Sequence, residues 1–187
     1  NFIVNTLNDG SPLVISNGDS ISASSILWET YPTILGPGSS IGIDTIRRIY
    51  GGYSMTIATN NVLSPIYLQS IVEMEAVDIY ISTLSTTSPI DIINMGWMNS
   101  TAGSVNIATY DTNSPLRIQT VDEITAKQYL FMNTFGPSSN IQISHSGILK
   151  SGETLDIHAD SFLSPLTIIN IFSITSETDH IRIYTAA

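Results

Sequence analysis

The feature that most constrains the fold of this chain is a short two-part pattern that recurs along its whole length. Its first part alternates apolar residues with other residues and ends on a small polar one, as in LVISN at 13–17. Its second part has the same form and usually ends on threonine, as in IYIST at 79–83. Strict period-two alternation in segments this rich in isoleucine predicts β-strands that each bury one face.

The spacing between the two parts indicates how these strands are arranged. The offset from a second part to the next first part is identical at 55→66, 79→90, 105→116, 130→141 and 155→166, whereas the return offset varies from repeat to repeat. A repeat of roughly 25 residues is too short for a propeller blade, which needs about 40. It suits one coil of a β-solenoid, in which each coil pairs with the one before. An antiparallel hairpin array is the alternative, but hairpins prefer tight turns and both connections here are long.

The sequence therefore predicts an all-β, parallel β-solenoid (β-helix) of about seven coils with roughly 25 residues per coil and no apparent caps. We expect one domain over 1–187, with repeats near 11–38, 39–63, 64–87, 88–113, 114–138, 139–163 and 164–187, and a partial coil at 1–10. Whether a coil holds two strands or three stays open at this point. A third strand is favoured by intervening apolar residues at Ile46, Ile71, Met95, Val121 and Ile171.

The small polar residue that ends each first part is expected to point inward, because it has the same parity as the apolar residues before it. Stacked side chains of this kind can hydrogen-bond along the solenoid axis. The predicted internal polar ladder is Asn17, Thr45, Ser70, Asn94, Thr120, His145 and Asn170. The threonines that end the second parts are expected to form a second internal column.

The two ends of the chain repeat the second part of the pattern. Phe2, Val4 and Thr6 precede the next first part at the same constant offset, and Ile181, Ile183 and Thr185 close the sequence. Since unpaired strand edges recruit other chains, these six residues are predicted self-assembly edges of a head-to-tail homo-oligomer or polymer. The sequence starts at Asn1 rather than methionine, so we also expect a processed product.

Composition excludes several classes of partner. The formal charge is −10 with only six Lys plus Arg, which argues against nucleic acid, because phosphate neutralisation needs clustered basic residues. No apolar run approaches the roughly 20 residues that span a membrane. The absence of cysteine means that no disulfide framework is present.

No catalytic, cofactor-binding or metal site is predicted, so we expect no enzyme activity. The outward carboxylates are spread over different coils, at Asp44, Asp78, Asp91 and Asp156, and the cluster of Glu177, Asp179 and His180 comes from a single loop. Metal sites need three or four converging ligands. Glycan contact stays open through outward aromatic residues at Tyr67, Tyr80, Phe131 and Tyr184.

The repeat length and strand pattern resemble those of extracellular β-solenoid proteins, namely bacterial adhesins of the filamentous haemagglutinin type and surface or phage fibres. The resemblance covers the whole chain and implies a non-enzymatic structural protein at the cell or virion surface. Asn99, in Asn-Ser-Thr, is a candidate glycosylation site if the protein is secreted. The alternative function is a tailspike-like β-helix that binds or cleaves glycans.

Overall fold

The chain folds as a parallel β-solenoid of about seven turns with roughly 25 residues per turn, which confirms the predicted fold class. A computed structural model describes residues 2–6, 12–30, 38–161 and 163–185. The described residues contain no helix, and every strand pairing among them is parallel. The antiparallel alternative is therefore excluded.

Each strand pairs in register with its counterpart one coil away. Val105, Leu130, Leu155 and Ile181, for example, are successive partners on four neighbouring strands. The strands are β1 (Phe2–Thr6), β2 (Leu13–Thr30), β3 (Ile41–Thr59), β4 (Ile66–Thr83), β5 (Ile90–Ser100), β6 (Val105–Thr109), β7 (Leu116–Ala126), β8 (Leu130–Thr134), β9 (Ile141–Ser144), β10 (Ile148–Ser151), β11 (Leu155–Ala159), β12 (Leu166–Ile169), β13 (Ser173–Ser176) and β14 (Ile181–Thr185).

Each coil presents three strand segments, and the segments stack into three faces. Face 1 holds residues 13–16, 41–44, 66–69, 90–93, 116–119, 141–144 and 166–169. Face 2 holds 18–23, 46–51, 71–76, 95–100, 121–126, 148–151 and 173–176. Face 3 holds 2–6, 26–30, 55–59, 79–83, 105–109, 130–134, 155–159 and 181–185. The third segment predicted from the intervening apolar residues is thus present, as face 2.

The core is a continuous stack of aliphatic side chains from all three faces. Ile66, Met74 and Ile81 supply one side chain from each face of a single coil, and each is fully buried. Burying one such side chain contributes about 1.5–3 kcal/mol, so the repeated stack is the main source of stability.

The predicted internal polar ladder is wrong. Asn17, Thr45, Ser70, Asn94, Thr120, His145 and Asn170 stand at the bend between faces 1 and 2, with φ between 52° and 56°. All are exposed except Ser70, which is half-buried. The left-handed backbone breaks the strand alternation and turns these side chains outward. Short polar residues are found there because they tolerate this conformation better than bulky apolar ones.

A different polar column is buried, and it is built from the serines that precede face 1. These are Ser39, Ser64, Ser88, Ser114, Ser139 and Ser164. The backbone N–H of each of the first five donates to the Oγ of the serine one coil further on, at 2.9–3.1 Å. Ser88, Ser114, Ser139 and Ser164 each donate that hydroxyl in turn to a carbonyl of the preceding coil, at 2.8–3.1 Å. The hydroxyls thereby satisfy backbone groups at a turn where strand pairing has stopped.

The predicted inward column of threonines on face 3 is confirmed. Thr30, Thr59, Thr83, Thr109 and Thr134 are all fully buried. Thr59 donates its hydroxyl to the carbonyl oxygen of Ser64 at 2.6 Å. The Oγ1 atoms of the other four have no hydrogen-bond partner in the described part of the chain.

This difference predicts opposite effects for the same substitution at two positions. Thr109→Val replaces an unpartnered buried hydroxyl with a methyl group of the same shape, so we expect the free energy of unfolding to rise by about 1 kcal/mol. Thr59→Val removes a hydrogen bond and leaves the Ser64 carbonyl unpaired, so we expect a loss of about 1–2 kcal/mol. Urea unfolding of both variants measures the contrast, and equal effects of the same sign would contradict it.

Candidate functional site

The C-terminal end of the solenoid exposes inward-facing side chains of its last face 3 strand. In β14, Ile181 and Ile183 are 46% and 42% exposed, although their counterparts Leu155 and Ile157 one coil earlier are fully buried. The exposure arises because β14 pairs with β11 on one side only within the described residues. Thr185, the last predicted edge residue, is also exposed.

The opposite end exposes the matching strand. Phe2 is 38% exposed and packs edge-on against buried Trp28, with ring centroids 6.2 Å apart. Val4 is half-buried and pairs in register with Trp28. Thr6 pairs through its backbone with Thr30, and its side chain lies outside the described residues.

The strands at the two ends, β1 and β14, match in length, in the alternation of inward and outward residues and in backbone direction. β1 and β14 are both five residues long. β1 pairs in register with the segment of β2 that ends at Thr30, and β14 pairs in register with β11, which ends at Ala159. The first residues of β4's face 3 segment, β6, β8 and β11 donate their N–H groups to the following coil, as Leu155 does to the His180 carbonyl at 2.9 Å. Because backbone direction alternates along a strand, the N–H groups of Ile181 and Ile183 point to the open side. Within the described residues, no strand pairs with these N–H groups.

Asn99 lies in strand β5 on face 2. It is half-buried, and its side-chain oxygen accepts a hydrogen bond from Thr125 Oγ1 at 2.8 Å. Ser100, the middle residue of the sequon, is buried and donates to the carbonyl of Val77 at 2.5 Å. Use of this sequon stays a prediction, and an attached glycan would have to sit on face 2.

The carboxylates considered from sequence remain apart in the structure. The register places none of Asp44, Asp78, Asp91 and Asp156 directly beside another of them. Asp91 is 8% exposed, and burial raises its pKa, although Arg117 at 3.6 Å acts in the opposite direction. No three His, Cys, Asp or Glu side chains among the described residues converge as a metal site.

Asp156 and His158 form a packed polar pair on the outer side of β11. Their nearest atoms, Oδ1 and Nδ1, are 3.2 Å apart, and both residues are buried. The ring of Tyr184 stacks on the imidazole at a centroid distance of 4.8 Å, and Phe135 contacts it edge-on at 5.6 Å. These rings leave the pair little access to solvent, which is the geometry of a structural contact.

Comparison with protein-family models, curated proteins and solved structures found no match to this chain. The described residues also contain no helix that could span a membrane.

Proposed function

We propose that this protein is a non-enzymatic structural protein that assembles end to end into an extracellular fibre or filament. The observation that supports the proposal is the pair of exposed, matching strands at the two ends. Phe2 and Val4 of one copy would cover Ile181 and Ile183 of the next, and the face 3 ladder would continue across the junction.

Assembly through these strands repeats the face 3 part of the interaction that holds neighbouring coils together. In a solenoid each repeat contacts only its neighbours, and the β1–β14 pair supplies one of the three strand pairs that join two coils. Ile181 and Ile183 are already more than half buried, so covering each contributes about 1 kcal/mol, in addition to the backbone hydrogen bonds of the new strand pair. The extracellular setting rests on the resemblance of the repeat to adhesin and fibre solenoids.

Sedimentation velocity and negative-stain microscopy over a range of concentrations test this assembly. We expect the wild-type protein to form unbranched oligomers that lengthen with concentration. Ile183→Lys places a charge in the junction, so we expect the dissociation constant to rise about 30-fold or more. Because Ile183 is 42% exposed at the end of the solenoid, this variant should keep the wild-type circular dichroism spectrum.

The matched control is Thr167→Lys, which adds the same charge to the last coil on an exposed outward position of β12. We expect this variant to assemble like the wild type. A wild-type protein that stays monomeric at every concentration overturns the proposal. Equal impairment by the two lysines overturns it as well, because charge alone would then account for the effect.

A further inference from the structure

A groove runs along face 2, parallel to the solenoid axis. It consists of three adjoining depressions of about 560, 320 and 340 Å³. The first and second share Trp97, and the second and third share Asn99, Glu123 and Thr125. The lining residues come from seven coils, and neighbouring coils lie about 4.8 Å apart, so the groove is roughly 29 Å long.

The floor of the groove consists of two columns of outward side chains that the register brings together from different coils. One column runs Arg48, Glu73, Trp97, Glu123 and the other Tyr50, Glu75, Asn99, Thr125, Lys150. Trp97 is half-buried in the middle of the first column, and Tyr50 is 40% exposed in the second. The aromatic rings thus supply flat apolar surfaces within an otherwise polar groove.

Ion pairs neutralise the groove towards its two ends. Arg48 Nε lies 2.5 Å from Glu73 Oε2, and Lys150 Nζ lies 2.5 Å from Glu177 Oε1. The hydrogen bond and charge of Lys150 lower the pKa of Glu177, so this pair is ionised at neutral pH.

Two carboxylates near Trp97, Glu75 diagonally one coil before it and Glu123 directly one coil after it, are not neutralised in this way. Glu75 lines the first depression with Trp97, and Glu123 lines the second with it. Neither forms a hydrogen bond or close ion pair with another described residue, and Lys150 acts on Glu123 only through its charge. An indole flanked by two hydrogen-bond acceptors is therefore open to a ligand.

We infer that this groove binds an extended, uncharged oligosaccharide through Trp97, Glu75 and Glu123. The apolar C–H face of a pyranose ring packs on an indole, and its hydroxyl groups donate to carboxylates. Ligand sites commonly combine aromatic surfaces with a few placed polar groups in this way. Glu75 and Glu123 have no close cationic partner among the described residues, so a negatively charged sugar unit is disfavoured beside Trp97. The inference does not depend on end-to-end assembly, because every residue it uses lies within one copy.

Binding can be tested on an array of neutral hexasaccharides of glucose, mannose and galactose, together with hexasaccharides of glucosamine and of galacturonic acid. We expect at least one neutral hexasaccharide to bind and to change the fluorescence of Trp97. The second tryptophan, Trp28, is fully buried and should respond little. Binding of only the acidic probe, or of none of the probes, overturns the inference.

Variants on faces 2 and 3 distinguish specific binding in the groove from nonspecific binding elsewhere on the surface. For the hexasaccharide that binds, we expect Trp97→Ala and Glu123→Gln each to weaken affinity about tenfold or more in calorimetric titration. The control is Tyr80→Ala, which removes a 41% exposed aromatic side chain from face 3 and should leave affinity unchanged. Equal losses in all three variants, or none in the two groove variants, overturn the inference. Glu123→Gln conserves shape, so its result stands even if Trp97→Ala is unstable.

Discussion

Ser114→Ala is expected to lower the free energy of unfolding by about 3 kcal/mol, because its hydroxyl serves two buried backbone groups at once. Ser114 Oγ accepts from the N–H of Ser88 at 3.0 Å and donates to the carbonyl of Ser85 at 3.0 Å. Both partners belong to the preceding coil, so the substitution leaves two polar groups unpaired in a turn. Ser114 itself is fully buried, which limits the access of water to those groups.

Urea unfolding measures this loss, and Ser85→Ala is the matched control. The Ser85 hydroxyl is half-buried and donates to one carbonyl, that of Asn60, at 3.0 Å. We expect that control to cost about 1 kcal/mol or less. If Ser114→Ala cost no more than Ser85→Ala, the serine column would not be a significant source of stability.

Gly147→Ala is expected to destabilise the fold by a similar amount, about 3 kcal/mol, for a steric reason. A Cβ atom at Gly147 would lie 2.1 Å from the carbonyl oxygen of Asp122 in the preceding coil. The obstacle is backbone rather than a flexible side chain, so the two coils would have to separate locally. The N–H of Gly147 also donates to the carbonyl of Val121 at 2.9 Å, and that separation would stretch this bond.

The comparison for this variant is Gly42→Ala on face 1. A Cβ atom there would have the carbonyl oxygen of Leu13 as its nearest neighbour, at 4.0 Å. Because glycine costs conformational entropy in a strand, we expect this control to be neutral or to stabilise by about 0.5 kcal/mol. Thermal unfolding of both variants gives the measurement. Similar unfolding midpoint temperatures for the two variants would show that a Cβ atom at position 147 does not destabilise the fold.

Much of the fold could be predicted from the sequence, because its dominant signal is local. Ile79 and Ile81 alternate with polar or exposed residues, and this alternation fixes which side of the strand is buried whatever lies above or below. The constant offset between each second part and the next first part then requires equivalent strands to stack coil on coil. Both inferences need only the spacing of apolar residues along one chain.

The polar features were harder to predict because they depend on backbone angles and on the neighbouring coil. Asn94 has the parity of an inward residue, but its left-handed φ of 52° turns it to solvent. Pro89 fixes φ and lacks an N–H, which is typical of a corner before a strand, whereas the role of Ser88 is evident only from its contacts with adjacent coils. The signal was present, since a serine recurs immediately before proline, but its partners lie a full coil away in sequence.

What the sequence by itself determined is the β-solenoid, its approximate number of coils and the inward position of its aliphatic residues and face 3 threonines. Only the tertiary structure decided which polar residues are buried, where Asn99 lies and that Trp97 shares a groove with Glu75 and Glu123. The physical reason is that alternation along a strand is set by neighbouring residues. A groove or a hydrogen-bonded column is instead made by residues a full coil apart, which meet only when the coils stack.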